Sequence, residues 1–321
     1  MVGRMIPFTR PAARDNRAGG GAFLALELLP GRVRGALLDP TGEFGARAAR
    51  TFPPDDAREA ILEQVDAVAA SLADEGRIEG CVLSAGGVLD TAQGRMVQVV
   101  DMPALEGVAI AERLQALVDA PTLLEHRARL QVHGDHYFGA GQGEETFASV
   151  ATGDTLGVGI LYQGAILAPD GGRSGAHMTV AKGQDRCSCG KRGCWRTIAT
   201  TAWLRERARE LGRAEPDLAA WEAAGARDPQ ARGVVSEYAA NIAMGLANIQ
   251  QLCMPGLFVL HGEAARASQG FRDRILTTMR ELSRTGGESA PRLERSTVDD
   301  DDATLLGGVA LLLHRGIGTG D

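Results

Sequence analysis

The stretch FLALELLPGRVRGALLDPTGEFGARAARTF, residues 23–52, runs apolar through FLALELL and breaks at Pro30-Gly31. It resumes as RVRGALLD, breaks again at Pro40-Thr41-Gly42 and closes as GARAARTF. Proline and glycine supply the backbone angles of tight turns, and the runs between them are too short for helices. The stretch predicts a three-stranded β-meander. Beyond it, Ile61, Val65, Val68 and Leu72 recur at helical spacing within 55–74. GCVLSAGGV, residues 80–88, reads as a buried strand ending in glycines. A helix over 107–118 and a strand entered at 121–124 follow.

The second half repeats this plan. Residues 149–152 and 156–161 read as paired strands, with a third at 165–167 after the turn Gln163-Gly164. A glycine-rich segment at 171–175 precedes a cysteine cluster and a helix-rich stretch from 197 to 251. A buried strand spans 255–260 and leaves through His261-Gly262. A helix at 271–283, a segment ending on four aspartates at 299–302 and a last helix at 305–314 complete the chain. Two halves that each open with three strands predict an α/β protein of two related lobes. Ligands of such folds sit at strand ends.

Composition narrows the class. The 321 residues suit about two domains. Glycine is the outlier, at 42 residues, about 13% against the usual ~7%. A net charge of −7 gives no basic field for nucleic acid. Five cysteines do not make a disulfide scaffold. No apolar run reaches the ~18 residues of a membrane span. Residues 1–21 carry arginine, proline and glycine without periodicity, and read as a loose arm that is no secretory signal. A cytoplasmic protein without membrane contact is expected.

The most specific motif is His177 followed by Cys187, Cys189 and Cys194 in CSCGKRGC. Three thiolates within eight positions and one upstream imidazole make a four-ligand set that zinc takes tetrahedrally. Gly190 and Gly193 let a tight loop close around the ion. Four protein ligands leave no position for water, so the zinc is structural. Cys81 and Cys253 read as buried, inert thiols.

With this motif the chain resembles the ROK family (repressors, open reading frames and kinases) of the sugar kinase and actin-like ATPase superfamily. The family's zinc motif is Cys-x-Cys-Gly-x-x-Gly-Cys with an upstream histidine, and all four ligands match. RVRGALLD, the turn at 84–87, Val88-Leu89-Asp90 before Gly94, LGVGI at 156–160, FVLHGE at 258–263 and LLGGVALLL at 305–313 extend the likeness from residue 22 to the C-terminus. The resemblance implies two ribonuclease H-like (actin-like ATPase) lobes with a central cleft and a structural zinc loop. The first lobe would span 22–124 and 303–321, with the final helix packed on it; the second, with the zinc, would span 125–302. It also implies sugar ligands, a homodimer and, in the kinases, transfer of the ATP γ-phosphate with Mg²⁺.

The catalytic pattern of the family departs at four places. Its phosphate loop, Asp-x-Gly-Gly-Thr, becomes Glu27-Leu28-Leu29-Pro30-Gly31, with Arg32 next; proline removes a backbone donor where phosphate would be cradled. Its Glu-Asn-Asp becomes Glu125-His126-Arg127, which puts a guanidinium at the position of the base. Guanidinium cannot accept a proton near neutrality. His133, Asp135 and His136 read as surface groups on a helix. The sugar-binding glutamates become Ser174 and Arg196, and the asparagine at the cleft rim becomes Asp101. The second phosphate turn, Gly-Thr-Gly, is read at Gly157-Val158-Gly159, and His261-Gly262 keeps one of two nucleotide-side glycines. Asp101, His126, Arg127, Ser174, His177 and Arg196 would line the ligand cleft, favouring a sugar, sugar acid or sugar phosphate. Glu27, Gly31, Arg32, Gly157, Gly159, His261 and Gly262 would be remnants of the nucleotide side. The expectation is a ligand-sensing or regulatory pseudokinase in which ATP and Mg²⁺ are doubtful cofactors, adenosine binding being weakened and not excluded, and which does not bind DNA directly; the alternative is a divergent sugar kinase of the glucokinase or N-acetylmannosamine kinase type.

Overall fold

The computed structural model describes residues 21–167, 175–180, 186–215, 217–284 and 290–318. The chain divides into two compact units, and the boundaries fall after Gln142 and at Thr297/Val298. The expected arm at 1–21, apart from Gly21, lies outside the described residues.

The first unit begins with the meander: β1 (Ala22–Leu29), β2 (Arg32–Leu38) and β3 (Phe44–Thr51). The β1–β2 turn is the minimum two residues, since Leu29 pairs with Arg32. Gly31 holds φ at +80° behind Pro30, the residue order of a type II turn. Helix α1 (Arg58–Ala73) buries Ile61, Val65, Val68 and Leu72, the expected stripe. Strand β4 (Ile78–Ala85), the hairpin of β5 (Val88–Asp90) and β6 (Arg95–Gln98), helix α2 (Ile110–Val118), β7 (Thr122–His126) and α3 (Arg127–Phe138) follow. The sheet order is β3-β2-β1-β4-β7, antiparallel through the meander and parallel from β1 to β7.

The second unit repeats that topology. Strands β8 (Phe147–Thr152), β9 (Gly157–Tyr162) and β10 (Ala165–Ile166) form the antiparallel part. Helices α4 (Thr201–Glu210), α5 (Leu218–Gly225) and α6 (Pro229–Cys253) precede β11 (Leu257–Gly262), α7 (Glu263–Arg266), α8 (Gln269–Ser283) and β12 (Arg292–Arg295). The sheet order is β10-β9-β8-β11-β12, with β11 parallel to both its neighbours. Helix α6 starts where Asp228 accepts from Gln230 N and Pro229 fills the first turn. Its inner face packs Tyr238, Ile242 and Leu246 with Trp195, Trp203 and Trp221 in the core.

The chain then returns to the first unit as α9 (Ala303–His314). Its glycines explain how closely it approaches α3. A Cβ at Gly307 would run into the carbonyl of Leu130, and one at Gly134 into that of Ala303. This contact places α3 in the first unit, whereas the sequence reading began the second lobe at residue 125.

Candidate functional site

The zinc loop is built by local backbone pairing. Arg196 N and Trp195 N donate to Ala176 O and Met178 O, and Val180 N donates to Gly193 O, which lays 176–180 against 193–196. Cys187 N donates to Lys191 O, and Gly190 N to Cys187 O, closing the knuckle. Gly190 and Gly193 hold φ at +84° and +71°, a region that favours glycine. Trp195 anchors the loop: its indole donates to Asn241 O at 2.8 Å and its ring lies against Gly245, where a Cβ would collide.

The ligand atoms of His177, Cys187, Cys189 and Cys194 all lie within 4.8 Å of one another. Cys189 and Cys194 sulfurs are 3.7 Å apart, and Cys187 Sγ is 3.3 Å from His177 Nδ1. A tetrahedral ion with Zn–S near 2.3 Å spaces its sulfurs by about 3.8 Å. Burial, then the neighbouring thiols, push the Cys194 thiol up to about 12. The donor set therefore fits a structural zinc.

A second polar cluster crosses the first sheet. The strand registers pair Arg34 with Glu27, Glu27 with Ser84, and Ser84 with Glu125. These four residues form one row over β2, β1, β4 and β7, on the face that carries Ala25, Ala36 and Val82. Glu27 is fully buried and accepts from Arg34 Nε at 2.7 Å and Arg127 Nε at 2.8 Å. Arg34 reaches onward through Nη1 to Asp301, at 2.7 Å. Burial alone would raise the Glu27 carboxyl, but the Arg127 and Arg34 guanidiniums outweigh it and hold it below its ordinary range. Glu125 accepts from His126 N at 2.6 Å and pairs with Arg129 at 3.3 Å.

His126 ends β7 and caps α3, its Nδ1 accepting from Ala128 N at 3.2 Å. Burial, then the Arg129 and Arg127 charges, push its imidazole down to about 4. Arg127 is thus the first residue of α3. His133, Asp135 and His136 do not form the expected surface cluster. His133 and Asp135 are buried where α3 meets α9, and His133 stacks on Tyr137 with ring centres 6.2 Å apart. Burial, then the His314 and His136 charges, push His133 down to about 3. A helix covered on two sides places polar residues inside.

The remaining expected residues fall as follows. Asp101 is exposed in the segment before α2, and Arg32 is exposed beside the β1–β2 turn. Ser174 lies outside the described residues. His177 belongs to the zinc cluster, and Arg196 sends Nη1 toward Ser188 Oγ at 3.4 Å. Gly157 and Gly159 are not a turn: they pair with Ala151 and Ser149 inside the β8–β9 ladder. The turn itself starts at Gly153, with φ at +126°, and carries Asp154, which pairs with Arg205 and Thr201. Gly262 holds φ at +73°, and a Cβ there would strike the Thr152 backbone. Its place is dictated by the β8–β11 contact. Cys81 is buried as expected, whereas Cys253 is only partly so. Arg34, Ser84, Asp154 and Asp301 were not foreseen; only strand register brings the first two beside Glu27.

The ROK family profile matches residues 26–315. The chain is 23% identical over 179 residues to a glucokinase of Thermotoga maritima, covering 54% of this chain and 56% of that protein. A glucokinase of Halalkalibacterium halodurans is 26% identical over 206 residues, 59% of this chain and 62% of its own length. An N-acetylmannosamine kinase of Salmonella typhimurium is 24% identical, with 78% of this chain and 86% of that protein covered. The chain thus spans less than two thirds of the length of the two glucokinases. Among solved structures, a ROK hexokinase from Thermus thermophilus superposes with a TM-score of 0.77 at 24% identity, covering 92% of this chain and 99% of its own. A ROK transcriptional regulator, a homolog of the E. coli MLC protein, gives 0.80 at 19% identity over 94% of this chain and 80% of that one. These likenesses carry the fold of two α/β units, and the profile spans most of the chain. The chain belongs to the ROK family.

Proposed function

We propose that this protein does not transfer phosphate and acts as a ligand-sensing or regulatory member of the family. The observation that carries this reading is the ion pair between Glu27 and Arg127. By the resemblance, Glu27 stands where the kinases place the carboxylate that supports Mg²⁺, and Arg127 where they place the base. Here each neutralises the other. A carboxylate held by two guanidiniums is a poor partner for a dication, and an arginine cannot take a proton from a sugar hydroxyl. His126 offers no substitute, because its Nδ1 caps α3 and its depressed pKa makes it a weak base at neutral pH.

The two turns support the same reading. Pro30-Gly31 forms a two-residue hairpin with few backbone donors to offer a phosphate. At the β8–β9 turn Asp154 engages Arg205 and Thr201, so neither that guanidinium nor that hydroxyl is left for a phosphate. Phosphoryl transfer depends on cradle, metal and base together. Zinc would serve only to hold the 176–196 loop. The ligand would be a sugar, sugar acid or sugar phosphate, and the protein a cytoplasmic homodimer that does not contact DNA directly.

The alternative is a divergent sugar kinase of the glucokinase or N-acetylmannosamine kinase type, favoured by the sequence likeness to such kinases. Thermal unfolding of the zinc-loaded protein separates the two. Stabilisation by a sugar, sugar acid or sugar phosphate with no response to ATP-Mg²⁺ supports the sensor; stabilisation by ATP-Mg²⁺ supports the kinase. Light scattering tests the dimer.

A further inference from the structure

The row Arg34, Glu27, Ser84 and Glu125 has a hydroxyl in it that nothing satisfies. Ser84 Oγ is fully buried on β4 without a hydrogen-bond partner, and so is Thr304 Oγ1 in the first turn of α9. An unpaired buried hydroxyl costs about 1–3 kcal/mol, so two of them call for an explanation.

Packing brings the two together. A Cβ at Gly308 would press on Val82, and one at Gly80 would meet Leu312. Helix α9 therefore runs antiparallel along β4, Gly308 over Val82 and Leu312 over Gly80. Ser84 is two residues beyond Val82 on the same face of the strand, a rise of about 6.6 Å. Thr304 is one turn before Gly308 on the same face of the helix, a rise of about 6 Å. These offsets carry both hydroxyls to the C-terminal end of β4 and the N-terminal end of α9, on the sheet face that holds Glu27. The N-terminus of α9 points there as well, and Asp302 at its cap makes no side-chain bond to the first turn, pairing instead with Arg47.

The charge at this place is set by Arg34, which is buried and carries two carboxylates. Glu27 is locked beneath it. Asp301, by contrast, is 62% exposed and sits in the segment that leads into α9. An ion pair with so exposed a partner contributes little and is readily exchanged.

We propose that Arg34, Ser84, Thr304 and the first turn of α9 form a binding site for a small anionic group, a carboxylate or phosphate monoester, and that Asp301 is its resident substitute. On binding, the ligand's oxygens replace the Asp301 carboxylate on Arg34 and accept from the two hydroxyls and the helix N–H groups. No bond is made or broken. Release of Asp301 frees the segment before α9, so that occupancy is reported in the backbone at 299–302. This inference rests on the sensing function proposed above, whose own test is ATP-Mg²⁺ response and turnover.

The test is isothermal titration of the zinc-loaded protein with inorganic phosphate, D-gluconate and D-glucose 6-phosphate, with neutral D-glucose as control. Three proteins are compared: wild type, Asp301→Asn and the double variant Ser84→Ala/Thr304→Val. Asp301→Asn removes the competing charge from an exposed position and should bind gluconate or glucose 6-phosphate at least fivefold more tightly. Ser84→Ala/Thr304→Val removes two unsatisfied hydroxyls, a change that leaves stability level or improved, and should weaken binding at least tenfold. Binding of phosphate but not gluconate assigns the site to phosphate monoesters, and the converse assigns it to sugar acids. Equal affinities in the three proteins, absence of anion binding, or equal binding of neutral glucose would overturn the proposal. Hexose-dependent ATP turnover with these anion effects intact would remove the sensing function and leave the site standing.

Discussion

Glu27→Gln keeps the shape of the side chain and removes its charge. The wild-type carboxylate is fully buried and is held by Arg34 and Arg127. Taking one partner out of a buried ion pair typically costs about 3–5 kcal/mol, because the other charge stays behind. Arg34 keeps Asp301, and Arg127 is partly exposed to water, so the lower end, about 3 kcal/mol, is expected. That is a large share of the 5–15 kcal/mol that stabilises an ordinary domain. Urea unfolding, followed by circular dichroism at a series of pH values, measures it. The pH dependence has a definite sign. The folded pKa of Glu27 lies below its ordinary value of 4.5, so its contribution is complete above that value. It is lost as pH falls through the folded pKa. The gap between wild type and Glu27→Gln should therefore be full at pH 7 and shrink below pH 4.5. A gap at pH 7 under about 1 kcal/mol, the level of an exposed pair, or one that widens in acid, would refute the reasoning.

Three further outcomes follow from the same structure. Cys189→Ser should lower the zinc content, measured by mass spectrometry, well below one ion per chain and unfold the second unit at lower temperature, since structural zinc contributes folding energy directly. Gly307→Ala should cost about 3 kcal/mol, because its new methyl meets the Leu130 backbone, whereas Gly233→Ala, in open space on α6, should gain about 0.5–1 kcal/mol; thermal melts compare them. His133 is held neutral with a pKa of about 3, so its contribution is complete above the ordinary 6.5 and is lost as pH falls below it. His133→Leu should flatten the stability slope between pH 6.5 and 4.5 by up to about 1.4 kcal/mol per unit, as read by urea midpoints.

Much of this was legible because it is local. The meander, α1 and the strand at 78–85 follow from apolar spacing and turn residues, and the zinc ligands from a motif eighteen residues long. The polar row was not legible, because Arg34, Glu27, Ser84 and Glu125 sit on four strands and meet only through register. Two local patterns misled. Gly157 and Gly159 look like a turn in sequence, yet they pair within a ladder, and the turn lies at Gly153. His133 and Asp135 look like a solvated helix face, but α9 covers it. The edge strand β12 was missed because RLER carries three charges, which suits a sheet edge and resembles a loop.

The proposal that this ROK protein does not transfer phosphate rests on the pairing of Glu27 with Arg127. The most direct measurement is ADP release by the zinc-loaded protein at neutral pH, with ATP-Mg²⁺ and, in turn, glucose, mannose and N-acetylmannosamine. The expected result is no release above the enzyme-free rate with any of the three. Sugar-dependent release that scales with protein concentration, and is lost in Glu27→Gln, would contradict the account.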